Sequence, residues 1–376
     1  MMAAGRILGI KEYGALGALF ALCAIGDVWR TAIQLDTTTK ITHGHTAAST
    51  QHTIIKQAAL VVAATTATAI PLSHALSIGN PAACALCGTY VGAGALFANR
   101  RGTLLASGQR KQVAVAVIAN SITRIIFTIC GALIAGVSGA IIASMAAELV
   151  GAICCSTPGG TTPTTRHTTT GTPDHTTRRR GTLLLICALA ASPPGLDGVA
   201  ARTILPEHQG GQYAAAAAIA RGILGVGQLL VVATIPDLIA NPEQTLRRSW
   251  NRIIAPIAAL ATSAAVTGPA ALSILAGDEF ASAATISLMA VCATAATISM
   301  LICYTAHTAG GTRPATLFAN ALSGAALWAA ISAIWHPHTA TSLAATAALA
   351  ATLQAATAWA TVRKHPNTAT THQGHS

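Results

Sequence analysis

Long apolar runs recur along the whole chain, and few charged residues interrupt them. Each run has roughly 20 residues, the length that an α-helix needs to cross the ~30 Å hydrocarbon core of a bilayer. Only 9% of the residues are charged, whereas a soluble domain carries about 25%. The runs also lack the alternation of apolar and polar residues that is typical of a transmembrane β-barrel. The sequence therefore predicts an all-α, polytopic helical membrane protein.

The positions of the apolar runs predict eleven membrane spans in two groups. Five spans form an N-terminal lobe (1–155), and six form a C-terminal lobe (182–362). A cytoplasmic Thr/Pro-rich linker (156–181) separates the lobes, and a cytoplasmic tail (363–376) follows them. The predicted spans are 14–34, 57–78, 81–99, 113–135, 137–155, 182–203, 212–240, 252–275, 283–307, 315–335 and 340–362.

The basic residues predict the orientation of these spans. Most of the 22 Lys and Arg residues lie in alternate gaps between spans, and the linker and the tail belong to this set. Because cytoplasmic loops carry the excess of Lys and Arg, the C-terminus is expected in the cytoplasm and the N-terminus outside the plasma membrane. The net charge of +11 is spread over separate loops, which favours membrane topology over nucleic-acid binding.

Two segments of similar pattern, 6–23 and 203–222, begin the two lobes. Each has a short apolar lead, an acid near a turn residue, a tyrosine and a helix of small residues, with Tyr13 and Tyr213 in equivalent positions. Parallel repeats of this kind are one recurrent plan of membrane transporters. A lobe of five spans beside a lobe of six leads us to expect a further helix upstream of Met1, and the N-terminus is expected as an interfacial loop.

A family resemblance is carried mainly by residues 196–239, LDGVAARTILPEHQGGQYAAAAAIARGILGVGQLLVVATIPDLI. They resemble the seventh-to-eighth helix signature of polysaccharide biosynthesis proteins, the O-antigen-flippase-like family of the multidrug/oligosaccharidyl-lipid/polysaccharide (MOP) exporter superfamily. Segments 5–22 (GRILGIKEYGALGALFAL) and 275–284 (LAGDEFASAA) resemble two further turns of that family. The positions that match the main signature are Asp197, Leu205, Pro206, Glu207, Gly211, Tyr213, Ala214, Ala215 and Pro236.

The resemblance implies a two-lobed bundle that moves its cargo by alternating access. The implied function is to flip or export a lipid-linked oligosaccharide or polysaccharide precursor across the plasma membrane. A polyprenyl-diphosphate-linked glycan is then the cargo, membrane lipid surrounds the protein, and enzymes of cell-envelope glycan assembly are the expected partners. No cofactor, metal or enzymatic activity is expected, because the longest loop holds one acid, Asp174, and no phosphate-binding or metal-binding motif.

Ionisable residues within the predicted spans are the candidates for cargo binding. A charge in mid-bilayer costs about 2.5 kcal/mol or more, so such groups usually face a wet cavity or a partner. Guanidinium suits a diphosphate because its donors form a fixed fork. Structural alternatives remain, namely an Asp27–Arg30 pair on one helix face, an Arg124–Glu148 bridge, and an Arg202 that reaches the interface. The candidate substrate-binding residues are Arg221, Arg124, Arg30, Arg202 and Gln228.

The span 182–203 contains two consecutive prolines, Pro193 and Pro194, with Asp197 just beyond them. Prolines break a helix and leave backbone carbonyls that a membrane tolerates only against protein or water. We therefore expect a hinge that faces the central cavity. The alternative is a simple kink with a solvated Asp197 near the outer interface. The candidates for ion coupling or for the hinge are Asp197, Asp27, Glu148, Pro193 and Pro194.

Two other functions remain open at this stage. A small-molecule or multidrug antiporter of the same superfamily would share the fold, but we expect it to line its cavity with acids and aromatic rings for cationic drugs. Aromatic residues make up only 4% of this chain, and arginines at least match acids within the spans. An inactive, truncated relative is the other alternative.

Overall fold

The computed structural model confirms the all-α prediction. Within its described residues the chain forms eleven α-helices and one short 3₁₀ helix, and no β-strand. The chain divides into two compact units, Met1–Leu184 and Leu185–Ser376. The residues that the structure describes are 2–42, 46–78, 80–155, 193–240, 242–308 and 314–363.

Unit 1 is built around its fourth helix. That helix starts sharply because Pro81 occupies its first turn and the Asn80 side chain accepts a hydrogen bond from the Ala82 amide at 3.0 Å. It packs against the first, second and fifth helices, and its small residues allow those neighbours to approach closely. The helices are α1 (Met2–Thr42), α2 (Ala47–Ala67), α3 (Ala69–Ala75), α4 (Pro81–Ala106) and α5 (Arg110–Cys154).

The first three helices differ in detail from the predicted segments. The expected interfacial loop at the N-terminus is wrong, because α1 is already helical from Met2 and is only interrupted at Gly9, where φ is +74°. A glycine adopts this left-handed conformation without steric cost. Helices α2 and α3 meet at a bend of 56° and together correspond to the predicted span 57–78.

Helix α5 is a hairpin of two antiparallel arms. The hydroxyl groups of Thr128 and Ser144 are 2.8 Å apart, although 16 residues of straight helix would separate them by about 24 Å. The chain turns back at Ala135 and Gly136, which have non-helical backbone angles. Gly131 and Gly139 lie opposite each other so closely that a side chain on either would overlap the other's carbonyl. The two arms match the predicted spans 113–135 and 137–155.

Unit 2 repeats the neighbour pattern of unit 1. Its ninth helix packs against the seventh, eighth and eleventh, as α4 packs against α1, α2 and α5. Tyr13 and Tyr213, near the starts of α1 and the seventh helix, are both buried. The helices are α6 (Pro193–Ile204), α7 (Glu207–Ala240), α8 (Pro242–Leu275), a 3₁₀ turn (Asp278–Phe280), α9 (Ala283–Thr308), α10 (Pro314–Trp335) and α11 (Ala340–Arg363).

The helices have the length and apolarity of a multi-pass membrane protein. Within the described residues, seven helices are long and apolar enough to span a bilayer, or eight if α2 and α3 count as one bent span. The hairpin of α5 is counted once in that number. Isoleucines on its first arm, such as Ile118 and Ile122, are more than half exposed, as expected for a surface in contact with lipid. Residues 156–181, 182–192 and 364–376 lie outside the described part.

Candidate functional site

Arg30 joins two acids at the centre of unit 1. Its Nη1 donates to Oδ1 of Asp27 at 2.6 Å, one turn earlier on α1. Its Nη2 donates to Oε2 of Glu148 at 2.7 Å, on the second arm of α5. Arg30 is 7% exposed and Glu148 is fully buried. The ion pair that the Asp27–Arg30 spacing indicates is therefore present, and Glu148 extends it onto a second helix.

Two aromatic rings complete this cluster. The hydroxyl of Tyr90 on α4 donates to Oε1 of Glu148 at 3.3 Å, and Nη1 of Arg30 lies 3.4 Å from the same hydroxyl oxygen. Arg124 on the first arm of α5 lies over both rings, 5.2 Å from the centroid of Tyr90 and 5.5 Å from that of Phe20. Contacts of this kind stabilise a guanidinium in an apolar environment.

Gly94 on helix α4 has no side chain, and this leaves space for the Arg30 guanidinium. A Cβ atom on Gly94 would overlap Cζ and Nε of Arg30. Any larger residue would displace the guanidinium from between Asp27 and Glu148. The glycine thus sets the position of the arginine, and the arginine sets the position of both acids.

The two arginines of this cluster differ in how strongly they are neutralised. Arg30 has two acids within 2.7 Å. Among the described acids, Arg124 forms an ion pair with Glu148 alone, through Oε1 at 3.8 Å, and its side chain is 29% exposed. Arg124 is therefore the cation in this cluster best placed to accept an added anionic group. The predicted Arg124–Glu148 bridge exists, but as the longer arm of a shared interaction.

A second buried polar pair lies in unit 2. The Tyr213 hydroxyl on α7 donates to Oδ2 of Asp197 on α6 at 2.6 Å, and both residues are fully buried. The alternative of a solvated Asp197 near the interface is therefore wrong in this structure. Burial of a carboxylate requires such a partner, because an unpaired charge in an apolar interior is costly.

The remaining predicted cargo residues are all in unit 2. Arg221 is half-buried on α7, where its Nε donates to the carbonyl of Ala217 at 3.2 Å. Arg202, in the last turn of α6, and Gln228, further along α7, are also half-buried. They lie on two adjacent helices of one unit.

Pro193 and Pro194 form the first turn of α6. Proline is favoured there because the first amides of a helix need no intrahelical partner. The residues before them, 182–192, lie outside the described part. The expected helix break therefore falls where the described residues begin again, at Pro193. The structure places Asp197 in the next turn.

Tyr90 and Phe20 are the members of the cluster that the sequence did not reveal. Tyr90 is buried in a run of small residues, GTYVGAGA, at positions 88–95. A single tyrosine among such small residues was the sequence feature that could have indicated its role in the cluster. Within the described residues, no three His, Cys, Asp or Glu side chains come close enough together to hold a metal ion.

No protein-family model matches the chain, and no curated protein sequence matches it. Solved structures do. A multidrug resistance MATE family transporter of the MOP superfamily, inward-facing, has a TM-score of 0.71 at 13% identity, over 96% of this chain and 93% of that one. The lipid II flippase MurJ has a TM-score of 0.63 at 11% identity, over 96% and 86%.

A third structure, the MATE transporter VcmN of Vibrio cholerae in the bent form, has a TM-score of 0.56 at 14% identity, over 96% of this chain and 95% of that one. These identities are too low to transfer a cargo or a site from any of the three proteins. The agreement of backbone over nearly the whole chain is nevertheless extensive. The chain has the fold of MOP-superfamily transporters.

Proposed function

We propose that this protein is a membrane transporter that moves a lipid-linked oligosaccharide or polysaccharide precursor across the plasma membrane. The fold supports transport, since its structural neighbours are transporters and flippases. The resemblance of residues 196–239 to polysaccharide biosynthesis proteins supports a lipid-linked glycan. The cargo that fits both is a polyprenyl diphosphate that carries sugars, supplied by enzymes that assemble cell-envelope glycans.

The observation that carries the proposal is the incomplete neutralisation of the Arg124 charge. It lies in an apolar helix arm, its side chain is 29% exposed, and its nearest acid is 3.8 Å away. That acid, Glu148, is already held by Arg30 at 2.7 Å. A phosphate oxygen that approached the exposed part of Arg124 would thus meet a cation whose charge is only partly compensated.

The other cluster residues act on Arg124 rather than on the cargo. Tyr90 and Phe20 hold its guanidinium by cation–π contacts. Arg30 fixes Glu148, which limits how far Arg124 can be drawn toward that acid. Arg221 is the corresponding candidate in unit 2. Alternating exposure of these groups to the two sides of the membrane would carry the headgroup across while the polyprenyl chain stays in lipid.

The acids are the candidates for coupling this movement to an ion. Asp27 is the most accessible of them, since its side chain is 42% exposed. Asp197 is fully buried and depends on Tyr213. A proton or cation that neutralised either acid would change the charge balance around the neighbouring arginine. We therefore propose Asp27 and Asp197 as coupling groups and Glu148 as a structural acid.

The proposal is tested by deleting the gene in its own host and measuring lipid-linked oligosaccharide on the cytoplasmic leaflet. Accumulation that the cloned chain reverses is the expected result. The Arg124→Ala and Arg221→Ala variants should express normally and fail to restore export, whereas Arg124→Lys should restore part of it. Unchanged lipid-linked glycan in the deletion strain, or full export by both alanine variants, would contradict the proposal.

One observation favours a cationic substrate instead. The exposed carboxylate of Asp27 lies in the same cluster as two aromatic rings, a combination that attracts organic cations. A multidrug antiporter is therefore the second candidate function. Efflux of a cationic dye from cells that produce the protein distinguishes the two. Dye efflux that Asp27→Asn abolishes and Arg124→Ala spares would replace the flippase proposal with the antiporter.

A further inference from the structure

A groove of about 280 Å³ is present in unit 1, and none of the residues of the Arg30–Glu148 cluster lines it. It lies between α2, α4 and the second arm of α5. Its apolar walls include Ile55, Leu149 and Ile153, which are 47%, 40% and 68% exposed. Its polar lining comes from Gln51, Asn99 and Arg100. The groove thus combines exposed apolar side chains with one basic group.

Arg100 is held in place at this groove by the end of α5. Its Nη1 donates to the carbonyl oxygen of Ala152 at 2.9 Å, in the last turn of that helix. Terminal carbonyls of a helix carry partial negative charge, so a guanidinium is well placed there. This bond uses one of the five N–H donors of the guanidinium. The remaining donors can serve an anion in the groove.

Three further basic residues follow Arg100 closely in the sequence. Arg101 lies next to it on α4 with its guanidinium 4.6 Å from the Phe97 ring centroid, and Arg110 and Lys111 begin α5 only a short turn later. The nearest acid on the second arm of α5 is Glu148, which is fully buried and bound to Arg30. Of these basic residues, Arg100 is the one that lines the groove, so an anion in the groove would bind to Arg100.

We propose that this groove binds an anionic phospholipid, with the headgroup phosphate on Arg100 and an acyl chain along Ile55, Leu149 and Ile153. Basic pockets between membrane helices at the interface are known to hold such headgroups. The exposed apolar walls favour a lipid over a soluble phosphate, because they offer an acyl chain a surface continuous with the bilayer. The proposal needs only that the chain is embedded in a membrane and does not rest on the transported cargo.

The linker 156–181 follows α5 in the sequence. It contains Arg166 and three consecutive arginines, 178–180, with a single acid, Asp174. A segment of that composition matches the positive charge of Arg100 poorly. The phospholipid is therefore the occupant that matches the groove in charge and in apolar surface.

The test is native mass spectrometry of the purified full-length chain in detergent, with phosphatidylglycerol or phosphatidylcholine added. We expect one phosphatidylglycerol molecule to remain bound under conditions that remove phosphatidylcholine. Arg100→Gln should weaken that binding about tenfold, the effect of losing one charge-assisted hydrogen-bond pair. Arg110→Gln, which removes an exposed arginine from the same end of the unit, should leave it unchanged.

A second variant tests the groove independently, in case Arg100→Gln does not fold. Ile153→Glu changes an exposed side chain and should exclude the anionic lipid, whereas Ile134→Glu, at a side chain 84% exposed near the hairpin turn, should not. Equal retention of both lipids, or equal losses in Arg100→Gln and Arg110→Gln, would overturn the proposal. So would displacement of the lipid by glycerol phosphate at millimolar concentration, which would show a soluble anion as the ligand.

Discussion

Arg30 and Glu148 are 118 positions apart in the sequence, yet Nη2 of Arg30 lies 2.7 Å from Oε2 of Glu148. This contact ties α1 to the second arm of α5. Tyr90 adds α4 to the same carboxylate. One buried acid therefore links three helices of unit 1, and its removal should destabilise the packing of all three.

Glu148→Gln tests this role of the acid. The variant leaves Arg30 with one acid and Arg124 with none, and loss of one partner from a buried ion pair costs about 3–5 kcal/mol. We expect a clearly lower midpoint of thermal unfolding in detergent, measured by tryptophan fluorescence. Glu12→Gln is the control, since Glu12 is exposed on α1. Equal midpoints for the two variants would show that Glu148 does not hold the helices together.

Gly94→Ala should disturb the same cluster from α4. The added Cβ overlaps the Arg30 guanidinium, and overpacking of this kind typically costs about 1–3 kcal/mol. Gly92→Ala, two residues earlier, is the matched control, because its Cβ would meet Val62 and Ala58 at 3.5 and 3.6 Å, ordinary contact distances. Unfolding midpoints of the two variants provide the comparison. The prediction fails if Gly92→Ala is as destabilising as Gly94→Ala.

Tyr213→Phe removes the partner of a buried carboxylate in unit 2. The hydroxyl donates to Asp197 at 2.6 Å, and a buried acceptor left without its donor costs about 1–3 kcal/mol. A double-mutant cycle with Asp197→Asn should show a coupling energy of about 0.5–3 kcal/mol. Unfolding of the four proteins in detergent gives that value. Additive effects would mean that the hydroxyl and the carboxylate act independently.

The hairpin in α5 predicts a disulfide between cysteines introduced at Thr128 and Ser144. Their hydroxyl oxygens are 2.8 Å apart, so the two thiols should oxidise readily in a variant that lacks the native cysteines. The combination of Thr128→Cys with Ser121→Cys is the control, because those positions are about 10 Å apart along one arm. Protection of both thiols from maleimide labelling measures the reaction. Equal labelling of both pairs would argue for a straight helix.

The spans were predictable from the sequence because the requirement that sets them is local. A helix in lipid satisfies its own backbone hydrogen bonds and needs only a sufficient apolar length. The prediction thus separated the two arms of α5 at Gly136, although their backbone is helical almost without interruption. The prediction of a loop before α1 was wrong because a glycine there redirects the helix at residue 9 without ending it.

The candidate site was predictable only in part. The spacing of Asp27 and Arg30 places them on one helix face, and that pair is present. The sequence suggested two separate ion pairs, whereas the structure has a single cluster in which Arg30 takes the shorter bond to Glu148. Which helix faces which neighbour depends on tertiary packing. For that reason Tyr90, which touches three of the four charged side chains, could not be found from periodicity.

The missing side chain at Gly94 also restricts how this protein can change over time. A descendant cannot acquire alanine at position 94 while it keeps Arg30 in place, and one that loses the arginine leaves a hole beside a buried acid. The two positions are therefore expected to vary together. Among relatives of this chain, a side chain at the equivalent of Gly94 should mark those that no longer hold an arginine against the acid of the hairpin.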